Sequence, residues 1–571
     1  MNKLRLLIII LITILAGLLA FGIWSRPEAQ TIDADGFSAE RVVTDIKHIA
    51  HSHHSVAHPK ERANVRHYLC QRLESLGANS IELFEYNGLV GPENKHVKYT
   101  FDAVNILAEF YPNDKNDATT DILFIAHYDS RYSQPMPHCD TVWSYGAADD
   151  GYGLGIILET LKQALSYREQ WHQGIKILFT DAEEVGMMGM KSMWEKNRDK
   201  FENIGLVINV EARGPWGPAL LFETSAGNDR VMELYAKTAE SPFSYSLTTV
   251  VYNYMPNFTD FSIIKDEIPG LNFSTIADIN HYHTNLDNIN NVNPKTIQHY
   301  GSQITPIVKE YLCNDKYANK KYLCSTNNTI FFTIPLLGLF NFSHTTYLWF
   351  NIAIFILFAI LLTINLRRLQ IGYIYIIRKS ITLLFLALGV FGIGLLTSYL
   401  CCIVTNVQFK PFGIIQGIPF DNIAMSVTTI IMAIIYIIIY IKYRQKFINK
   451  SPSLRTSATI AQATKYAIVI LFAQLIILFI LSAILLFTIG ENIMFFLPLA
   501  IATVAILLYH LTRIKLWLAL AIGLILLHAF TFLFALAMAL TIGAYAIVLM
   551  LAFLHILVVI PLTDMYITPK R

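Results

Sequence analysis

From about residue 345 to its end, this 571-residue chain is a succession of apolar stretches, each long enough to cross a bilayer at roughly 20 residues per helix. Lipid offers the backbone no hydrogen-bond partners, so such stretches have to satisfy their own N–H and C=O groups as helices. They lie near residues 346–366, 380–404, 422–441, 466–489, 493–510, 516–537 and 540–562. A further run, from about Leu6 to Trp24, follows Lys3 and Arg5. It is long and lacks a small-x-small cleavage site, which reads as an uncleaved signal anchor and not as a removed signal peptide.

The loops between these stretches predict an orientation, because positively charged loops stay cytoplasmic. Lys3 and Arg5 precede the first stretch, and Arg367, Arg368, Arg378 and Lys379 fall between the second and third. Lys442, Arg444, Lys446, Lys450, Arg455 and Lys465 fall between the fourth and fifth. Arg513 and Lys515 come between the sixth and seventh, and Lys570 and Arg571 follow the eighth. The alternate short loops carry almost no positive charge, with Lys410 in one and only Gly490-Glu491-Asn492 in the next. Both termini are therefore expected in the cytoplasm, and residues 30–345 on the non-cytoplasmic side, whether periplasmic, extracellular or luminal. His510, His528 and His555 lie in or at the ends of late stretches without nearby carboxylates, and are read as neutral residues bonded to neighbouring helices.

Hydrophobic residues make up 54% of the chain, but residues 30–325 mix charge, turns and short apolar runs like a globular domain. The net charge of +2 gives no reason to expect a nucleic-acid partner. Apolar runs such as DILFIAHYD, GIKILFTDAEE, IGLVINVEA and GLNFSTIADI alternate with helical stretches such as GYGLGIILETLKQALSY. That pattern predicts an α/β domain with a mostly parallel sheet flanked by helices, followed by an α-helical multi-span membrane domain. The expected divisions are an anchor at 1–29, the α/β domain at 30–312, a linker at 313–345 and a membrane domain of about seven helices at 346–571. Six cysteines are too few for a disulfide scaffold, and the pairing of Cys313 with Cys324 is left open. Asn257, Asn272 and Asn327 each begin a glycosylation pattern.

In open α/β sheets, chemistry collects at the carboxyl ends of the strands. Polar clusters occur just there: His127 and Asp129 in AHYDS, Glu183 and Glu184 in DAEEVG, and Glu211 in NVEARG. Asp149 and Asp150 in GAADDGYG and His283 in YHTNLDN complete the set. Two imidazoles with several carboxylates form an N/O donor set suited to zinc or a related divalent ion. Five ligands including an aspartate able to bridge point to two ions about 3.5–4 Å apart. The histidine-rich segment His48 to Pro59 precedes the sheet, and His51, His53, His54 and His58 are read as surface or rim residues.

In this order, His127-x-Asp129, Asp149-Asp150-Gly, Glu183-Glu184, Glu211 and Tyr282-His283-Thr284 resemble the zinc exopeptidase family of secreted bacterial aminopeptidases. That family also includes glutamate carboxypeptidase, glutaminyl cyclase and the endoplasmic reticulum and vacuolar membrane metallopeptidases, which the globular-then-multispan plan is similar to. The resemblance covers about residues 40–310. It implies two Zn²⁺ ions, with Asp149 bridging, His127 and Glu211 completing one ion, and Glu184 and His283 the other. It further implies Glu183 as general base, Asp129 as the carboxylate orienting the His127 imidazole, and Tyr282 as a donor to the tetrahedral oxyanion. The Asp149–Asp150 bond resembles one that is cis in the family, and Asp287 is a candidate support for His283. Glu211 stands where soluble aminopeptidases often have Asp, though the membrane members resemble this chain.

The implied function is a membrane-anchored metallopeptidase, an aminopeptidase by preference. Its partners would be peptide substrates and the lipid bilayer, with the oligomeric state open. A carboxypeptidase or dipeptidase of the same fold is the nearest alternative. A catalytically inactive receptor-like protein would be expected to have lost a ligand or the base, and none is missing. A transporter would need polar, broken helices at mid-membrane.

Overall fold

Short runs rich in Ile, Leu, Val and Phe alternate with amphipathic stretches through the first three hundred residues, and the elements follow that alternation. The computed structural model describes residues 3–22, 27–91, 100–113, 120–133, 142–253, 257–449 and 456–569. Helix α1 (Lys3–Gly22) is followed by α2 (Ala39–Ile49), α3 (Pro59–Ser75), β1 (Ser80–Leu89), β2 (Phe101–Phe110) and β3 (Asp121–His127). The short pair β4 (Tyr132–Ser133) and β5 (Val142–Trp143) leads to α4 (Gly151–Leu165), β6 (Gly174–Thr180), α5 (Met188–Lys196) and β7 (Ile204–Val210). Then come β8 (Leu220–Thr224), α6 (Asp229–Thr238), α7 (Ser246–Asn253), β9 (Gly270–Ser274) and α8 (Pro294–Cys313). The hairpin β10 (Thr329–Ile334) and β11 (Gly338–Ser343) precedes α9 (His344–Arg368), α10 (Tyr373–Thr405), α11 (Asp421–Asn449) and α12 (Thr456–Ile489). Helices α13 (Ile493–Thr512), α14 (Leu516–Leu540) and α15 (Tyr545–Ile567) end the chain.

These elements form two compact units. One comprises Met1–Ile23, Ile334–Leu336 and Thr345–Arg571, and the other Trp24–Thr333 and Leu337–His344.

The second unit is built on a seven-stranded sheet in the order β1-β2-β6-β3-β7-β9-β8. Strands β6, β3, β7 and β9 run parallel, while β1, β2 and β8 join antiparallel at the edges. The period of two along each strand sorts the core into two layers. Ile122, Phe124 and Ala126 of β3, with Leu206 and Ile208 of β7, pack with Val42 and Ile46 of α2, Leu154 of α4 and Ile304 of α8. The intervening Leu123, Ile125 and Val207 face the opposite way and pack with Met190 and Met193 of α5 and with Phe261. Helices therefore cover both faces, as continuous apolar strands demand. The expected α/β class with a mostly parallel sheet holds.

Residues 313–345, expected as a linker, carry more structure than that. Tyr317, Leu323 and Phe331 join the main core, and the apolar run TIFFTI pairs as β10 and is buried along its length. Cys313 and Cys324 are both free thiols. Asn272 is fully buried within β9, where no glycan can be attached, whereas Asn327 is exposed.

In the first unit, eight helices among the described residues are long and apolar enough to cross a membrane. They coincide with the eight stretches read from the sequence. Helix α15 packs against α10, α12 and α14, and α1 against α14. His528 and His555 lie buried in mid-helix with ring centroids 6.2 Å apart. His555 donates from Nδ1 to the Leu551 carbonyl of its own helix at 2.8 Å, and neither His528 nitrogen is hydrogen-bonded. The expectation of bonds to neighbouring helices is not met for these two: His555 bonds within its own helix, and the His528 ring stacks on Phe532 of its own helix.

Candidate metal centre and catalytic site

The site lies where the central strands end. His127 is the last residue of β3, and β6 ends one residue before the Asp181-Ala-Glu183-Glu184 turn. Glu211 follows β7, and His283 is reached by the loop after β9. Because β6, β3 and β7 are adjacent and parallel, three motifs far apart in sequence reach the same edge of the sheet. Asp149 and Asp150 enter from the N-terminus of α4, where the Asp150 carboxylate caps the helix by accepting from the Gly153 N–H at 2.9 Å. Gly153 permits the close approach, since a Cβ there would fall 2.6 Å from the Val210 carbonyl oxygen of β7. The Asp149–Asp150 bond is cis.

Two donor sets result, and Asp149 belongs to both. One donor atom from each of His127, Asp149 and Glu211 lies within 4.8 Å of the others, and the same holds for Asp149, Glu184 and His283. The His127 Nε2 is 3.3 Å from Asp149 Oδ1 and 3.7 Å from Glu211 Oε2. The His283 Nε2 is 3.1 Å from Asp149 Oδ2 and 3.2 Å from Glu184 Oε1. Asp149 thus turns one carboxylate oxygen to each imidazole. Asp149 Oδ2 and Glu184 Oε1 are buried, and apart from the one His283 nitrogen beside them both they have no donor. Buried carboxylate oxygens without donors are costly unless a cation faces them. All five sequence-derived ligand candidates converge here, and the donor set fits divalent metal.

The electrostatics point the same way. Burial, with Asp150, Glu183 and Asp149 nearby, pushes the Glu211 carboxyl well above the usual carboxylate range. Burial, with Asp260, Glu184 and Asp129, does the same to Glu183. Burial opposes charge on His127, yet Asp129, Asp149 and Glu211 override it and raise its pKa well above 6.5. Glu184 departs in the other direction, because His283 and Arg131 outweigh burial and hold it far below the ordinary value. A cluster of this kind calls for positive charge at its centre.

The supporting residues differ in part from the sequence reading. The His127 ring is oriented by the Asp129 backbone carbonyl, 2.9 Å from Nδ1, with the Asp129 carboxylate farther off at 3.6 Å. That carboxylate instead accepts from the Glu183 and Glu184 N–H groups at 2.9 and 3.3 Å, fixing the turn that carries both glutamates. Asp287 does not support His283. It accepts from the N–H groups of Ala148 and Asp149 at 2.7 and 3.3 Å and from Ser144 Oγ at 3.1 Å, and so holds the aspartate loop. Tyr282 stacks on His283 with centroids 3.7 Å apart, and burial beside Asp149 and Glu184 keeps its hydroxyl protonated. His54 is buried and not on the rim. Its N–H donates to Ser130 Oγ at 3.1 Å, and burial lowers its pKa to about 4. His51 is exposed, and His53 and His58 are half-buried against Trp143.

Sequence reasoning passed over Arg131, which donates to the Glu184 carbonyl at 2.6 Å and lies 3.2 Å from its carboxylate. Its place directly after HYDS was a usable signal. Asp260 was also missed. It is buried, accepts a hydrogen bond from the Thr180 hydroxyl, and raises the Glu183 pKa from a short helical turn outside the strand-end motifs. Behind Glu211, Asn209 Nδ2 lies 3.3 Å from Glu211 Oε1 and 2.9 Å from Asn272 Oδ1, and Asn272 in turn donates to Glu223 at 2.9 Å.

Residues 105–308 match Peptidase family M28. Over 326 residues the chain is 25% identical to the human endoplasmic reticulum metallopeptidase 1, covering 55% of this chain and 34% of that one. Over 350 residues it is 25% identical to a vacuolar membrane protease of Candida dubliniensis, covering 57% and 34%. The chain spans about a third of the length of these curated relatives. Among solved structures, the Porphyromonas gingivalis glutaminyl cyclase aligns with a TM-score of 0.39 and 20% identity, covering 49% of this chain and all of that one. The zinc aminopeptidase BSAP of Bacillus subtilis aligns with a TM-score of 0.38 and 14% identity, covering 49% and 96%.

Proposed function

We propose, from the Peptidase family M28 segment at residues 105–308, that this chain is a membrane-bound metallopeptidase that removes residues from peptide N-termini with two zinc ions. The observation that carries the reading is Asp149, one carboxylate with an oxygen for each of two histidine-carboxylate sets. His127 and Glu211 would hold one ion with it, and Glu184 and His283 the other. When bound, zinc would polarise the scissile carbonyl and make an attacking water more acidic.

The protein's own groups then divide the remaining work. Glu183, fixed through its N–H by Asp129, takes the proton of the attacking water and returns it to the departing amine. Asp129 positions both glutamates through the same turn. Tyr282, protonated and stacked on His283, is placed to donate to the oxyanion. Arg131 holds the Glu184 carboxylate ionised and in place.

An aminopeptidase reads a free α-amine. Purified full-length protein incubated with zinc should therefore shorten peptides with free N-termini one residue at a time, and leave N-acetylated versions intact. Equal cleavage of acetylated peptides, or shortening from the carboxyl end, would overturn the N-terminal assignment.

The same reading places residues 30–345 on the non-cytoplasmic side, on the strength of the alternating basic loops. A compartment reporter fused after Gln30 should report the outer or luminal side, and one after Arg571 the cytoplasm. A cytoplasmic signal after Gln30 would reverse the orientation.

A further inference from the structure

The β10–β11 turn is built against the usual rules for an exposed loop. Turns that face water favour Gly, Asn, Asp and Ser, and left-handed backbone is ordinarily reserved for Gly or Asn. Here the turn reads Pro335-Leu336-Leu337-Gly338, and Leu336 itself takes the left-handed conformation with φ of 68°. Leu336 is 73% exposed and Leu337 56%. The strained position presents an apolar side chain outward where a small or polar residue would relieve both the strain and the exposure.

The surrounding sequence carries no formal charge. No Asp, Glu, Lys or Arg occurs from Tyr322 to Leu366. Strand β11 runs straight into α9, with Ser343 followed by His344, and the exposed Trp349 and Phe350 lie in the first two turns of that helix. Tryptophan and other aromatics at such positions mark the membrane–water boundary. Six residues of strand span roughly 20 Å, which is the farthest the turn can lie from the start of α9. Ile334–Leu336 also fall within the compact unit formed by the apolar helices.

We propose that the β10–β11 turn is a membrane-interface contact, with Leu336 and Leu337 seated at the boundary between lipid headgroups and acyl chains. The occupant of this surface is the bilayer, and the hairpin is a loop-borne anchor additional to the helices. This rests on the apolar helices spanning the membrane and is independent of the peptidase chemistry.

Photocrosslinking tests it. Benzoylphenylalanine is incorporated at position 336, or at 337 in a second variant, in full-length protein reconstituted into phosphatidylcholine–phosphatidylglycerol liposomes. Position 388, a half-exposed leucine on α10, serves as the reference. After irradiation, lipid adducts counted by mass spectrometry should form at 336 and 337 within about threefold of the yield at 388. Adducts at 388 with none at 336 or 337 would overturn the proposal. So would a dimer band, which would assign the turn to a second copy, or an adduct within the same chain. Absence of adducts at all three positions would overturn both this contact and the membrane reading of α10.

Discussion

Glu183→Gln is expected to keep its full metal content and lose turnover by about 10²–10⁴-fold, the ordinary share of general acid–base catalysis. The loss will sit at the upper end if the one carboxylate serves both proton transfers. Glu184→Gln is expected to fail differently. A neutral amide would replace an anionic donor whose Oε1 lies 3.2 Å from His283 Nε2, and metal occupancy should fall along with activity. The two residues are adjacent, yet Asp129 holds both backbones and leaves the side chains free to point to separate tasks. Elemental analysis beside single-turnover rates for both variants distinguishes the roles. Equal metal loss in the two, or near-normal turnover in Glu183→Gln, would show the assignment to be wrong.

Arg62→Ala should destabilise the α/β unit by about 3–5 kcal/mol, the usual result of removing one partner of a buried ion pair. Arg62 Nη1 lies 3.1 Å from Asp181 Oδ1, and both side chains are almost fully buried. The Asp181 carboxylate also accepts from the Val104 N–H at 2.9 Å and the Tyr128 hydroxyl at 3.0 Å, so it cannot move out to water when the arginine is lost. For a unit of this size the loss corresponds to a fall in melting temperature of roughly 10 °C. Thermal unfolding followed by intrinsic fluorescence would show it. An unchanged midpoint would mean that solvent reaches Asp181 in solution.

The α/β class and the ligand set were legible because each depends on local pattern. Continuous apolar runs such as ILFIA and LVINV announce doubly covered strands, and the polar residues that end them are the ones the parallel sheet brings together. The eight apolar helices were legible from length and composition for the same reason. What escaped was long-range. Asp260 reaches the site from a short helical turn outside the strand-end motifs, and its effect on Glu183 exists only once the sheet has formed. Asp287 reads as a candidate support for the histidine four residues away, while the fold gives its oxygens to backbone groups more than a hundred residues distant. His54 lies in a segment that precedes the sheet and reads as rim, yet it is buried and its backbone N–H donates to Ser130 Oγ. The hairpin after α8 was hidden because its apolar run is too short to stand out beside the stretches that follow.

The loop after β9 supplies His283 and, four residues later, the carboxylate that pins the N–H groups of Ala148 and Asp149. A local opening of that loop would withdraw one donor and release the shared one in the same event. Loop closure and ion capture would then be a single equilibrium, since the loop carries one donor and holds the backbone of the shared one. By linkage, an ion present at a hundred times its dissociation constant favours the shut state by about 2.7 kcal/mol. Amide hydrogens at positions 148 and 149 would then exchange with solvent about a hundredfold more slowly. With an ion bound, the loop would work as a latch that the metal keeps fastened, and depletion of the ion would leave the sheet intact while loosening the one segment on which both halves of the centre depend.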